Sequence, residues 1–341
     1  MTEASEARTA RTWVIVGTGR IAKRMAGAIL AVGDRVVAVV GRTPARAEEF
    51  ASALGLDAVG VDRVASLADV GVPEFAYIAS PNNLHAQHVA EAAELGIHVL
   101  CEKPLAMSAA ESAEVRDAFP AEGPKLGVAF QYRQYPAYRE ARAVIASGAL
   151  GDLRLISVTT CLGAIEVPAW YDEPAESGGG IMPMSAVHRV DLLRFLVDRE
   201  FVTASAMTSH YRGRPFDDTA GIVATMTGGV LVTIVTGLDA PYGADRIEVH
   251  GSAGSVVLST RWYVDGEKTL LEVRTADGVQ ASAFDRVDNY ELEVADFARY
   301  VVGASSEFAS PADGVAASRF IEAVYAAARS DRAVEVAADH G

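Results

Sequence analysis

Cysteine is nearly absent. The 341 residues hold only Cys101 and Cys161, too few for a disulfide framework or a zinc ribbon, and both read as small core residues in a reducing compartment. Positive charge is scarce as well: 30 Lys and Arg stand against 45 Asp and Glu, and the net charge of -15 repels nucleic-acid backbones and anionic membrane surfaces, so neither is expected as a partner. No apolar run reaches bilayer length, and the opening MTEASEARTAR carries acids where a secretory leader would be apolar. These absences predict a soluble cytoplasmic protein with a frayed tail over residues 1–11. An apolar fraction of 50% with 22% charged residues is globular, and the length suggests two domains, each able to bury its own core.

What is present begins at Thr12. Trp13 to Val16 is a short β-branched run suited to a strand buried on both faces, broken by Gly17-Thr18-Gly19 before an alanine-rich helix through Leu30. Gly17 allows a tight turn, Gly19 lets backbone approach a pyrophosphate, Ala22 is the third small position, and the uncovered N–H groups of the helix supply an anion site. Gly33-Asp34 then turns into a strand over Arg35 to Val40, completing a βαβ unit. Dinucleotide sites place an acid after this second strand to bind the adenosine ribose. Here the acid is missing. The chain reads Gly41-Arg42-Thr43-Pro44-Ala45-Arg46, which removes the group that repels a 2′-phosphate and adds two arginines able to neutralise it, so NADP is favoured over NAD; the alternative leaves Arg42 and Arg46 as surface charges of the next helix.

A third apolar strand, Phe75 to Ala79, runs into Ser80-Pro81-Asn82-Asn83-Leu84-His85, a loop expected over the cofactor because ligands collect at the carboxyl ends of such strands. The strand His98 to Cys101 is followed by Glu102-Lys103-Pro104-Leu105, which points a lysine into the same crevice as a candidate catalytic cation. His85 and His88 have a spacing that metals use, but no third ligand is apparent nearby, and no metal is expected.

Taken together, Gly17-Thr18-Gly19-Arg20-Ile21-Ala22, the Ser80-Pro81-Asn82 loop with His85, and Glu102-Lys103-Pro104 resemble the Gfo/Idh/MocA family of NAD(P)-dependent oxidoreductases. The likeness continues through Phe130-Gln131-Tyr132-Arg133-Gln134-Tyr135-Pro136 and through Gly178-Gly179-Gly180 followed by His188 and Asp191. It implies an α/β fold with an N-terminal Rossmann domain, a doubly wound parallel sheet, over 1–130. A C-terminal α+β domain with a large, mostly antiparallel open sheet follows over 131–308, and 309–341 carries a helix returning to the nucleotide domain. Independently, Val158 onward is strand-rich, Gly228-Gly229 marks a hairpin, and a sheet covered on one face invites a partner subunit on the other, which the resemblance implies is a homo-dimer or homo-tetramer contact.

By resemblance, Lys103 and His188 are the catalytic pair, and Gly17, Thr18, Gly19, Arg20, Ile21, Gly41, Arg42, Arg46, Ser80, Asn82, His85, Glu102 and Lys103 bind the dinucleotide. Moving a hydride to or from a carbonyl carbon requires an acid/base group and a positive charge at one oxygen, which imidazole and ammonium supply. The substrate side draws on Lys103, Tyr132, Arg133, Trp170, Met184, Ser185, His188 and Asp191. Tyr132 and Arg133 equally suit a brace at the interdomain joint, and Trp170-Tyr171 either a cleft wall or joint packing. Asp217-Asp218 reads as turn chemistry.

One departure concerns the chemistry. Inositol dehydrogenase-like members carry an Asp four residues before the histidine, and this chain has Met184 there. Either the substrate lacks the hydroxyl that the acid binds, or another group, Asp191 or Ser185, replaces it; Pro183 suggests a helix starting at this point. The leading expectation is an NADP(H)-dependent oxidoreductase acting on a sugar, cyclitol or related small metabolite. Redox-neutral glycosidase or lyase chemistry by transient oxidation with NAD, and a non-catalytic dinucleotide sensor, are the alternatives.

Overall fold

The computed structural model describes residues 9–119, 122–163, 167–210, 213–238, 240, 245–261, 266–305 and 307–338; most of the expected N-terminal tail therefore lies outside the described residues. The first half alternates strand and helix: β1 (Thr12–Val16), α1 (Arg20–Ala31), β2 (Arg35–Val40), α2 (Pro44–Ala53), β3 (Val59–Val61), α3 (Leu67–Val70), β4 (Phe75–Ile78), α4 (His85–Glu94), β5 (His98–Cys101), α5 (Ala109–Asp117) and β6 (Leu126–Val128). The strands form one six-stranded sheet in the order β3-β2-β1-β4-β5-β6, parallel throughout, as the strand-helix repeat demands. Helix α1 buries Ala22, Met25, Ala26 and Ile29, the helical spacing of one face, against this sheet.

Register decides where function can sit. Val61, Val40, Val16, Ile78, Cys101 and Val128 pair across the sheet in one row, so the residues that follow them emerge along a single edge. Gly17, Gly41, Ala79 and Glu102 are therefore neighbours in space although scattered in sequence.

The chain leaves this sheet through α6 (Pro136–Ala146) and enters β7 (Leu153–Cys161), α7 (Pro174–Ser177), a π-helical turn at Met182–Ala186 and α8 (Val187–Val197). Then come β8 (Phe201–Ser209), β9 (Thr219–Met226), β10 (Val230–Gly237), β11 (Asp245–Gly251), β12 (Gly254–Thr260), β13 (Thr269–Thr275) and β14 (Gly278–Phe284), followed by α9 (Asn289–Val301), α10 (Pro311–Ser330) and β15 (Val334–Glu335). These nine strands form the order β14-β13-β12-β11-β7-β10-β9-β8-β15, antiparallel except for the β7–β10 pair. The expected hairpin at Gly228-Gly229 joins β9 to β10, with both glycines in the left-handed region.

Helices cover one face of this sheet, α6 lying against β12 to β14 and α10 against β8. The opposite face exposes Leu155, Met207, Val223, Leu231, Val235, Leu270 and Val279. Two late helices reach back to the nucleotide half. Val294 and Phe297 of α9, with Phe308, join the core around Trp13, Ile15, Phe75 and Tyr77, while α10 packs on α5 and β6.

Candidate active site

At the N-terminus of α1 the glycine turn is built for close approach. Gly17 has φ of +116°, and a Cβ there would lie 2.4 Å from the Ala79 carbonyl oxygen. Gly19 has open space where its Cβ would be, caps α1 without a side chain, and is followed by a first turn free of acids. The arrangement fits a dinucleotide pyrophosphate. Arg20 is exposed and Thr18 and Ile21 half-buried beside it. After β2, Gly41 donates its N–H to Val61 O at 3.0 Å, Thr43 caps α2, and Arg42 and Arg46 stand exposed at the same corner.

The loop after β4 is committed to the protein. Asn82 Nδ2 donates to Ser177 O at 2.7 Å, and its side chain also bonds the Tyr171 hydroxyl, tying the loop to α7 and the turn before it. His85 Nδ1 lies 2.7 Å from Pro104 O and its Nε2 3.0 Å from Ser80 O; burial pushes its pKa down to about 4. Ser80 Oγ is 2.9 Å from His88 Nδ1. The polar atoms of the Asn82 and His85 side chains are thus held by partners within the protein. Among the described residues no group of three or more His, Cys, Asp or Glu gathers as a metal site.

Lys103, from the turn after β5, comes close to His188 of α8. Lys103 Nζ donates to the Met184 carbonyl at 2.8 Å, in the π-helical turn immediately before the helix of His188. Such widened turns recur at functional sites. Burial lowers the Lys103 pKa and Glu102 opposes the shift. His188 is held well below its ordinary value by burial first, then by Lys103 and Arg189, so its imidazole is neutral near pH 7. Its Nδ1 is buried with no hydrogen-bond partner among the described residues, and its ring meets Tyr132 edge-on at 5.1 Å and Phe130 at 6.2 Å.

Several supports had no local signal in the sequence. Arg189 pairs with Asp245, donates through Nε to Thr160 Oγ1 at 3.0 Å and lies 4.3 Å from the centre of the Tyr132 ring. Thr160 in turn donates to Asp245 Oδ1 at 3.0 Å. Tyr77 donates to Glu102 Oε1 at 2.5 Å. Gly180 is required by close packing, since a Cβ would fall 2.0 Å from Asp217 O. Asp217 accepts the Ile181 N–H through its backbone oxygen at 2.9 Å, in keeping with a turn role.

Arg133 takes up the bracing alternative, with Asp191 as its partner. They form a buried two-pronged pair at 2.8 and 2.6 Å, and Arg133 Nη2 also meets Asp313 at 2.9 Å, so both brace the joint between α8 and α10. Both Asp191 carboxylate oxygens are taken up by Arg133, and the backbone carbonyl of Met184 accepts from Lys103. Ser185 is buried in the π-helical turn, and half-buried Trp170 lies against Tyr171 with the rings tilted at 42° and a centroid distance of 4.7 Å.

Residues 11–130 match the model of the oxidoreductase family with an NAD-binding Rossmann fold, and residues 138–257 match the GFO/IDH/MocA C-terminal domain. The chain belongs to the Gfo/Idh/MocA family. As a member it is an NAD(P)-dependent oxidoreductase. It is 30% identical to the 1,5-anhydro-D-fructose reductase of Ensifer adhaerens, over 95% of this chain and 98% of that one. It is 32% identical to D-xylose 1-dehydrogenase (NADP(+)) 2 of Haloferax volcanii, over 94% and 98%. Among solved structures, levoglucosan dehydrogenase in complex with NADH and levoglucosan shares the fold with a TM-score of 0.84 at 23% identity, over 96% of this chain and 100% of that one. The Gfo/Idh/MocA architecture of a Rossmann domain followed by an open sheet is the one described above. Among the described residues no helix is long and apolar enough to cross a membrane.

Proposed function

We propose that the protein moves a hydride between NADP(H) and a carbinol or carbonyl carbon of a sugar, cyclitol or related small metabolite, with Lys103 and His188 handling the proton and the oxyanion. The observation that carries this reading is the meeting of Lys103 Nζ with the Met184 carbonyl at 2.8 Å, one turn before His188. It brings an ammonium from the nucleotide half close to an imidazole from the other half. A bound nicotinamide supplies the hydride in reduction and accepts it in oxidation. In oxidation Lys103 gives its N–H to the substrate oxygen and stabilises the charge that develops there, while neutral His188 takes the hydroxyl proton and becomes imidazolium. In reduction the imidazolium, formed with a proton taken from solvent, returns that proton to the oxygen.

The substrate class rests on relatives named for anhydrofructose, xylose and inositol. The thioether of Met184, where polyol-oxidising relatives are expected to hold an acid, fits a substrate without the hydroxyl that the acid would bind. Preference for NADP is supported by the absence of an acid at Gly41 and by the exposed Arg42 and Arg46. The apolar outer face of the nine-stranded sheet supports a homo-oligomer formed through that face.

Fluorescence titration with NADPH and NADH, alongside Arg42→Ala, tests the cofactor reading. NADPH is expected to bind at least about tenfold tighter, and the variant to lose most of that difference, about 1.4 kcal/mol. Equal or tighter NADH binding refutes it and moves redox-neutral chemistry with retained NAD to the front. A reductase screen on keto-sugars then identifies the substrate.

A further inference from the structure

We infer that Tyr77 is a positioning residue that sets the charge of Lys103 through Glu102. This rests on the reading of Lys103 as the group that meets the substrate oxygen. Tyr77 is fully buried in the middle of the nucleotide sheet, in β4, a place where a phenylalanine would pack as well and bring no polar atom to satisfy. Its hydroxyl points at the end of the neighbouring strand β5 and donates to Glu102 Oε1 at 2.5 Å. The other carboxylate oxygen of Glu102 accepts the backbone N–H of Lys103 at 3.2 Å. The chain of contacts therefore runs from Tyr77 through Glu102 to the turn that carries Lys103, whose ammonium reaches Met184 O at 2.8 Å.

The electrostatics of this chain share one direction. Burial pushes the Glu102 carboxyl up, and what holds it ionised is Lys103 together with the Tyr77 hydroxyl and the Lys103 N–H. Lys103, lowered by burial, is held up by Glu102. The other titratable groups facing this pair are Tyr290 and Glu293 from α9, Tyr171 before α7, Cys101 on β5, and the cations or imidazoles of His85 and His188 around Lys103. None of those on the Glu102 side adds positive charge. Glu293 is buried with neither carboxyl oxygen partnered among the described residues, and burial and Glu102 push its pKa well up. Tyr77 is then the one hydroxyl seen donating to the Glu102 carboxylate among the described side-chain contacts. Without it, Glu102 takes up a proton more readily, and Lys103 loses the negative neighbour that keeps it an ammonium.

The experiment is the pH profile of kcat/KM for carbonyl reduction with NADPH, measured for the wild type, Tyr77→Phe, Glu102→Gln, the double variant and Lys103→Met. Tyr77→Phe is expected to move the basic limb to lower pH by about half a unit to one unit, and Glu102→Gln to move it further in the same direction. In the Glu102→Gln background, Tyr77→Phe should add no further shift, because its effect has lost its carrier. A Tyr77→Phe limb that stays in place or moves up, or an equal shift with and without Glu102, overturns the inference. Survival of activity in Lys103→Met overturns the catalytic reading instead, so the two failures are distinguishable. If Glu102→Gln does not fold, the limb in Tyr77→Phe alone decides, since removing a hydroxyl from a packed ring leaves the ring in place.

Discussion

Replacing Asp245 with alanine should destabilise the protein by about 3–5 kcal/mol, because it strands a guanidinium in the core. The side chains of Arg189 and Asp245 are 1% and 2% exposed, so solvent screens neither. Removing the carboxylate leaves Arg189 with hydroxyl partners alone, Thr160 at 3.0 Å and Tyr138, and leaves the Thr160 O–H without the acceptor it reaches at 3.0 Å. The lost hydroxyl bond adds about 1 kcal/mol. Removing both charges in Arg189→Met with Asp245→Leu should restore most of that loss, as buried pairs replaced by well-packed apolar side chains are often close to neutral. Urea unfolding followed by circular dichroism and by tryptophan fluorescence measures the difference, provided that the two transitions coincide and the slopes match. A loss below about 1 kcal/mol for Asp245→Ala, or a double variant as weak as the single one, refutes the argument. The site should respond too. Tyr132 rests its face on Arg189 at 4.3 Å and its edge on His188 at 5.1 Å, so turnover should fall more than dinucleotide affinity.

Three further outcomes are expected. Gly17→Ala places a Cβ 2.4 Å from Ala79 O in a left-handed turn, and NADPH binding by fluorescence should be lost; retained affinity would mean that this turn does not approach the cofactor. His188 has its pKa depressed in the folded state, so the unfolded chain binds more protons below about 6.5 and stability falls as pH drops from there through the folded value. His188→Gln should flatten that slope, while buried His85 and half-buried His88 and His98 keep their shares, and an unchanged slope in thermal melts from pH 7 to 5 contradicts the assignment. Val223 and Val235 are 50% and 49% exposed on the outer sheet face, so Val223→Asp with Val235→Asp should lower the oligomeric state in sedimentation without changing the circular dichroism spectrum. An unaltered assembly removes that face as the interface.

Much of the nucleotide half was legible because its signals are local. A β-branched run, a glycine turn and an alanine-rich helix each specify themselves within a few residues, and the sheet order follows from the handedness of parallel crossovers. The three-residue β3 and the hairpin of β13 and β14 carry too few apolar alternations to stand out, and β14 is exposed along nearly its whole length. Site residues were harder to read where their partners are distant. Arg133 and Asp191 are separated by 58 positions, and nothing near either one announces a buried pair. Asn82 and His85 were correctly gathered into one loop, yet the direction of their polar atoms depends on Ser177 and Pro104. The gap at Met184 was visible as a missing acid. The contact that Lys103 makes there was not, because a backbone carbonyl leaves no trace in residue type.

The late helices also set a timetable for the chain. Val128 ends the last strand of the nucleotide sheet, but the core around Trp13 and Phe75 is closed by Phe297 and Phe308, and α10 (Pro311–Ser330) then lies on β6. At ordinary synthesis rates the roughly 200 intervening residues take about 10–40 s to emerge. During that interval the first sheet sits at the ribosome with an apolar flank uncovered. A ribosome stalled near residue 280 should therefore hold a nucleotide half that binds chaperone, and release of the last sixty residues should both displace the chaperone and make the glycine turn competent for its ligand.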